Sequence, residues 1–187
     1  LFTLKKIFEH FDLEIFDVKE ISVHGGSLRL FVKSSDNREI MINENVEKLL
    51  KKEKDYGLQE ISTYLKFQNN VKNSKKNIQE FFIKAKEEKK QIVCYGAAAK
   101  GNTVLNYCKI SKNDINYVVD ISPHKQGKFM PGTHIPIFSP EKIKETKPDY
   151  VVILAWNLKD EIVQQMNFIN DWGGKFVVLI PEVKILN

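Results

Sequence analysis

The stretch QIVCYGAAAKGNTVLNYC, residues 91–108, passes from an apolar run into small residues and then into a helical pattern. The apolar run reaches Gly96, and the positions from there to Gly101 hold only small residues and one lysine. This order is typical of a buried strand that ends in a tight turn and continues as a helix. In a helix-covered sheet, such a turn presents backbone N–H groups to anions. The stretch therefore predicts both a fold and a place where a ligand could bind.

The same strand-then-helix order continues through residues 91–187, where the apolar segments INYVVD, DYVVILAW and GKFVVLIP stand between loops and amphipathic helices. Strands that are apolar without alternation indicate a parallel sheet with both faces covered. The predicted fold class is α/β, with a Rossmann-like parallel sheet and helices on both faces.

Residues 1–34 predict the C-terminal end of a preceding domain. A helix over residues 3–11, with Thr3 as its N-cap, is followed by two strands, LEIFDVKEISV and SLRLFVKS. One helix and an antiparallel strand pair cannot close a core alone. We therefore expect the body of that domain to lie upstream, and the chain to be a fragment.

Residues 35–90 predict a linker and helices. Asn43 or Asn45 is placed to cap a helix over about residues 46–54. Apolar positions from Leu58 to Ala85 keep helical spacing without a proline. One long linking helix is predicted there, with a break near NNVKN left open.

The segment GAAAKGNT, residues 96–103, matches no complete phosphate-binding motif. The dinucleotide fingerprint requires glycine where Ala98 stands, and a P-loop requires lysine where Asn102 stands. Nucleotide hydrolysis is therefore disfavoured. Two interpretations of this segment stay open: an anion-binding site at a helix N-terminus, and a close-packed turn between strand and helix. The candidate ligand residues are Gly96, Lys100, Gly101, Asn102 and Thr103.

Asp120 ends the next predicted strand, where dinucleotide-binding domains place the acid that binds a ribose hydroxyl. An acid at this position can equally cap the following turn. The long polar loop after it, up to residue 136, contains His124, Lys125 and Lys128 and is a candidate clamp for a polyanionic substrate.

Composition argues against several classes of function. The net charge of +5 arises from 29 basic and 24 acidic residues, and arginine occurs only at Arg29 and Arg38, which disfavours nucleic-acid binding. No apolar run reaches the roughly 20 residues of a membrane span. The cysteines, Cys94 and Cys108, lack zinc-ligand spacing, so we predict no metal site and a reducing, cytoplasmic location.

Four segments, CYGAAAKGNTVLNYC, VVDISPHKQGKFMPGTHIPI, PDYVVILAWNLKDEI and WGGKFVVLIP, together resemble the C-terminal domain of the sugar C-methyltransferases. FDLEIFDVKEISVHGGSLRLFV is similar to the end of the central methyltransferase domain of that family. The resemblance divides the chain into residues 1–34, the end of a methyltransferase domain, residues 35–90, a linker with a long helix, and residues 91–187, the Rossmann-like C-terminal domain.

The resemblance implies an S-adenosylmethionine-dependent enzyme that methylates a carbon of a nucleotide-linked ketosugar. It places most of the cofactor site, and a zinc-binding module, outside this chain, so the chain alone is expected to be inactive. The turn at His24 resembles the segment that faces the substrate cleft, which makes His24 a candidate catalytic helper; a role in capping the turn is the alternative. The expected sugar-nucleotide ligands are Gly96, Lys100, Gly101, Asn102, Thr103, Asp120, His124, Lys125 and Lys128.

Two other functions stay open. Asp120 and the predicted sheet suit an NAD(P)-binding oxidoreductase fragment, whereas the incomplete glycine fingerprint opposes it. Alternatively, the chain is a non-catalytic scaffold whose long helix from Leu58 to Ala85 forms a homodimer.

Overall fold

The computed structural model describes residues 1–186. They form two compact units, Leu1–Asn69 and the part from Asn70 onward, each with a core of its own. Among the described residues, no helix is both long and apolar enough to cross a membrane. The three-part domain division drawn from the sequence stays a prediction.

The first unit consists of helices around an antiparallel strand pair. Its elements are α1 (Phe2–His10), β1 (Leu13–Ile21), β2 (Ser27–Ser34) and α2 (Glu44–Tyr56). The strand pair and the turn between the strands agree with the sequence prediction. The core is completed by α2, whose Val46 and Leu49 are buried with Ile15 and Val18 of β1.

Both ends of α2 carry the residues that helix ends prefer. The Asn43 side chain accepts a hydrogen bond of 3.0 Å from the Asn45 N–H, so of the two predicted caps Asn43 is the one observed. At the other end Gly57 has a φ of 81°, in the left-handed region that glycine adopts without strain. The prediction that Thr3 caps the first helix is wrong, because α1 begins at Phe2 and its N-cap is Leu1.

Helix α3 (Ile61–Glu87) runs without the break considered near NNVKN. Its second half buries Ile78, Phe82 and Ala85 in the core of the second unit. The absence of proline and the helical spacing of these apolar side chains account for its length.

The second unit is built on a six-stranded sheet with the order β5-β4-β3-β6-β7-β8. The first five strands in chain order pair in parallel, and β8 runs antiparallel to β7 at one edge. The sequence did not predict β8. The bounds are β3 (Ile92–Tyr95), β4 (Val118–Val119), β5 (Ile137–Phe138), β6 (Tyr150–Ile153), β7 (Lys175–Val178) and β8 (Lys184–Leu186), with α4 (Ala99–Cys108), α5 (Lys142–Thr146) and α6 (Lys159–Gln165).

Both faces of this sheet are covered by helices. Along β3, Ile92 and Cys94 lie in the core that α3 and α4 cover, whereas Val93 and Tyr95 lie in the opposite core with α5 and α6. Every residue of β3 is therefore buried, which explains its continuous apolar sequence. The predicted α/β class, with a parallel sheet, helices on both faces and a preceding antiparallel pair, is confirmed.

Candidate functional site

The loop between β3 and α4 lies at the carboxyl end of the central strand. Gly96 has a φ of 90°, and a Cβ added there would lie 3.4 Å from the Cβ of Ala155. The N-cap of α4 is Ala98, whose methyl group cannot accept a hydrogen bond. The first-turn N–H groups of Ala99, Lys100 and Gly101 have no carbonyl of α4 to bond. This helix end therefore keeps its donors open.

Close packing explains the glycine inside this helix. Gly101 is buried, and a Cβ built on it would lie 2.5 Å from the Cβ of Leu154, which follows β6. A side chain at this position would force α4 away from the sheet. Close packing between the helix and the sheet therefore explains why residue 101 is glycine, whether or not a ligand binds nearby.

Asp120 uses its carboxylate within the protein. One oxygen accepts hydrogen bonds from the Ala97 N–H at 2.8 Å and from the Lys125 ammonium at 3.0 Å, and the other accepts from the Ser122 N–H at 2.8 Å. Its side chain is only 8% exposed. Of the two roles predicted for Asp120, the turn cap is the one observed, and the carboxylate ties the loop after β3 to the loop after β4.

A groove of about 660 Å³ opens beside the first turn of α4. It brings together four of the predicted ligand residues, Asn102, Thr103, Lys125 and Lys128. The rest of its lining is formed by small and apolar residues: Ala97, Ala98, Ala99, Phe129, Met130, Pro131 and Ile137. We call this cavity the α4 groove.

The two lysines of the α4 groove differ in what they already contact. Besides its ion pair with Asp120, the Lys125 ammonium donates to the Ala97 carbonyl at 3.1 Å. Within the described part of the chain, Lys128 has no ion-pair partner and its side chain is exposed. Lys128 is therefore the cation of this groove that is free to pair with an anion.

The polar side chains on the α4 side are partly engaged. The Thr103 hydroxyl donates to the Ala99 carbonyl at 3.1 Å, and the Asn106 amide donates to the Asn102 carbonyl at 2.9 Å. Asn106 also donates to the Pro131 carbonyl at 3.0 Å and so holds the loop against α4. A Cβ on Gly132 would lie 2.2 Å from the Asn106 side-chain oxygen, so glycine is needed for this approach.

The sequence analysis did not identify three loop residues that line the α4 groove, Phe129, Met130 and Pro131. The loop folds back on β5, with the Gly127 N–H donating to the Ile137 carbonyl at 2.9 Å and the Ile137 N–H donating to the Lys128 carbonyl at 2.8 Å. The Pro-Gly pair at residues 131–132 is typical of a turn, and it was the sequence pattern that indicated a reversal of the loop at this point.

Six predicted site residues do not line the α4 groove: Gly96, Gly101 and Asp120, described above, and Lys100, His24 and His124. The Lys100 ammonium donates to the Asn157 side chain at 2.9 Å and lies 5.1 Å from the centre of the Trp156 ring, in the loop after β6. His124 is exposed on the loop after β4. His24 lies in the first unit, in a turn where its φ is 57°. The structure therefore separates Lys100 from the lysines of the groove, with β3 between β4 and β6.

The described residues offer no cluster of side chains suited to hold a metal ion. Residues 1–186 contain no group of three or more His, Cys, Asp or Glu side chains arranged to hold a metal ion. Burial raises the pKa of the Cys94 thiol, which keeps it protonated and unreactive.

The family model and the sequence relative agree on the family. The family model described as "C-methyltransferase C-terminal domain" matches residues 22–181. The C-methyltransferase NovU of Streptomyces niveus is 33% identical over 99% of this chain, and the chain spans 44% of the length of that relative. The solved structure of UDP-D-quinovosamine 4-dehydrogenase from Vibrio fischeri has a TM-score of 0.39 and 17% identity, over 52% of this chain and 93% of that one.

The family match covers the antiparallel strand β2, the long helix and almost all of the parallel sheet. The resemblance found from the sequence segments is thereby confirmed. This chain belongs to the C-methyltransferase C-terminal domain family.

Proposed function

We propose that the chain is the C-terminal part of an S-adenosylmethionine-dependent C-methyltransferase that acts on a nucleotide-linked ketosugar. Its role in this proposal is to hold the diphosphate of the sugar nucleotide in the α4 groove. The supporting observation is the position of the unpaired Lys128 beside Lys125 and the uncapped first turn of α4. The family match supports the methyltransferase part.

The electrostatics of the groove favour a diphosphate. Two ammonium groups and the positive end of the α4 dipole line one side, and the aligned backbone N–H groups of a helix start suit phosphate oxygens. The one carboxylate near them, Asp120, is neutralised by Lys125 and two backbone donors. The groove therefore presents net positive charge to a ligand.

The alternative of a nicotinamide-dependent oxidoreductase is weakened by the same geometry. The Asp120 carboxylate already accepts from Ala97, Ser122 and Lys125, and a dinucleotide ribose would compete with these three donors. We expect no NADH binding by calorimetry. In this proposal the methyl donor binds to the rest of the protein. We keep the cytoplasm as the proposed location.

The test is a titration of the protein with inorganic pyrophosphate and with UDP. Lys128→Gln removes one charge from the groove and should weaken both ligands about tenfold, the loss of one charge-assisted contact. Raising the salt concentration should reproduce part of this loss because exposed charges are screened.

Two further lysine variants locate the site. Lys112→Gln is the matched control, since this exposed lysine lies in the loop before β4, at the opposite end of the strands. It should leave both affinities unchanged. If Lys100→Gln costs as much as Lys128→Gln, or if neither ligand binds, the assignment of the diphosphate to the α4 groove is wrong.

A further inference from the structure

The lining of the α4 groove includes apolar side chains as well as the two lysines. Phe129, Met130 and Pro131 line the groove with Ile137, and none of these side chains can form a hydrogen bond of ordinary strength. The Phe129 ring is 63% exposed although it stands in a cavity. By chemistry, the lining therefore divides into a basic half, Lys125 and Lys128, and an apolar half, Phe129, Met130, Pro131 and Ile137, with an aromatic face available.

The aromatic face is held in place by its backbone. Phe129 forms an antiparallel bridge with Pro136, and the next residue, Met130, donates its N–H to the Ile135 carbonyl at 2.8 Å. The Met130 side chain is buried. A ring on such a fixed segment loses little freedom when a flat ligand stacks on it.

Three main-chain carbonyls beside the Phe129 ring are already engaged. The Met130 carbonyl accepts the His134 N–H at 3.0 Å, and the Lys128 carbonyl accepts the Ile137 N–H at 2.8 Å. The Pro131 carbonyl accepts the Asn106 amide at 3.0 Å. Each of these carbonyls is therefore less available to the hydrogen-bonding edge of a base.

We infer that the apolar half of the α4 groove binds the nucleobase of the sugar nucleotide by stacking on Phe129, without reading the base edge. This inference rests on the proposed function and assigns its nucleoside part. A ligand with its diphosphate at Lys128 would place its nucleoside beside Phe129, because the two residues are neighbours on one loop. The groove then selects a nucleoside diphosphate and tolerates different pyrimidines.

The first test compares bases of equal size. UDP and CDP present opposite donors and acceptors on their pairing edges, so a site that stacks only should bind them within about threefold of each other. The methyl group of dTDP should improve affinity over dUDP, which has the same sugar, by up to about fourfold through added apolar burial. A preference of tenfold or more for UDP over CDP would show edge reading and overturn the inference.

The second test removes the ring. Phe129→Leu keeps an apolar side chain and should weaken UDP about tenfold, the usual effect of losing one stacking partner, while pyrophosphate affinity stays unchanged. Phe129→Tyr should keep UDP binding. The matched control is Phe11→Leu, since Phe11 is a similarly exposed ring, 67%, in the first unit.

The outcomes separate the two proposals. If UDP binds to the folded Phe129→Leu protein as tightly as to the unaltered protein, the base lies elsewhere and only this inference fails. If UDP and pyrophosphate both fail to bind the unaltered protein, the proposed function fails and the inference with it. Thermal unfolding of each variant confirms that the compared proteins are folded.

Discussion

The helices α2 and α4 have similar lengths but differ in how their two ends are capped. At α2, Asn43 accepts a backbone N–H at the start and Gly57 takes the left-handed conformation at the finish. At α4, those two positions are occupied by Ala98 and by Lys109, which has a φ of 59°. The local sequence stabilises α2 at both ends, and α4 at neither.

The difference shows what holds each helix. α2 is largely exposed and charged, so its own caps contribute a substantial part of its stability. α4 is held by tertiary packing against the sheet, with Gly101 against Leu154 and with Leu105 and Cys108 buried. A helix held in this way can leave its N-terminal donors open for a ligand.

The largest expected effect comes from breaking the packing of α4. Gly101→Ala places a methyl group where the Leu154 Cβ lies 2.5 Å away, and should lower the free energy of unfolding by about 1–3 kcal/mol. Both tryptophans, Trp156 and Trp172, lie in the second unit, so tryptophan fluorescence in urea measures this change directly. An unchanged midpoint would contradict the packing account. Gly101 substitutions consequently cannot test ligand binding by themselves.

The next effect comes from removing the cap of α2. Asn43→Ala should destabilise the first unit by about 1 kcal/mol because the Asn45 N–H loses its acceptor. Amide hydrogen exchange in the first turn of α2 is the measurement, since this unit contains no tryptophan among its residues. Asn43→Asp serves as the control and should keep the protection, because aspartate caps equally well.

Supplying α4 with a cap sharpens the comparison. Ala98→Asn should raise the free energy of unfolding of the second unit by about 0.5–1 kcal/mol. The same side chain would occupy the open donors, so the affinity for pyrophosphate should fall by several-fold. A variant that gains stability and keeps its affinity would show that the first turn of α4 does not contact the ligand.

The smallest effect is at the other end of α4. Lys109→Gly removes the strain of a lysine in the left-handed region, which should stabilise the second unit. The mutation also removes a positive charge near the helix C-terminus, and this loss offsets part of the gain. The expected net increase in the free energy of unfolding is about 0.5 kcal/mol. Lys109→Ala removes the charge without freeing φ and should not stabilise. Equal unfolding midpoints for the two variants would mean that the conformation at residue 109 carries no strain.

Periodicity and caps predicted much of the fold. Unbroken apolar runs identified β3, β6 and β7 as strands buried on both faces. Capping depends on neighbouring residues, so the sequence narrowed the cap of α2 to Asn43 or Asn45, and the structure shows Asn43. The short antiparallel β8 has no such pattern, and its pairing depends on β7 being in place. Local sequence could not reveal it.

The site was less predictable for a related reason. Whether Asp120 binds a ligand or caps a turn depends on the position of the Ala97 N–H, which a different strand supplies. Likewise, the separation of Lys100 from Lys128 arises from the order of strands in the sheet. The exposed Phe129 was missed because an aromatic residue in a loop resembles a core residue until the loop conformation is known.

The strands at the two ends of the sheet also affect how the protein behaves in solution. β5 is only Ile137–Phe138, and the antiparallel β8 is Lys184–Leu186, with an exposed lysine at its start. Long, flat, apolar edges invite other chains to extend a sheet, and short or charged ones discourage it. The parallel core is therefore flanked by poor templates for edge-to-edge aggregation. We expect the second unit to stay dispersed at the high concentrations that ligand titrations require.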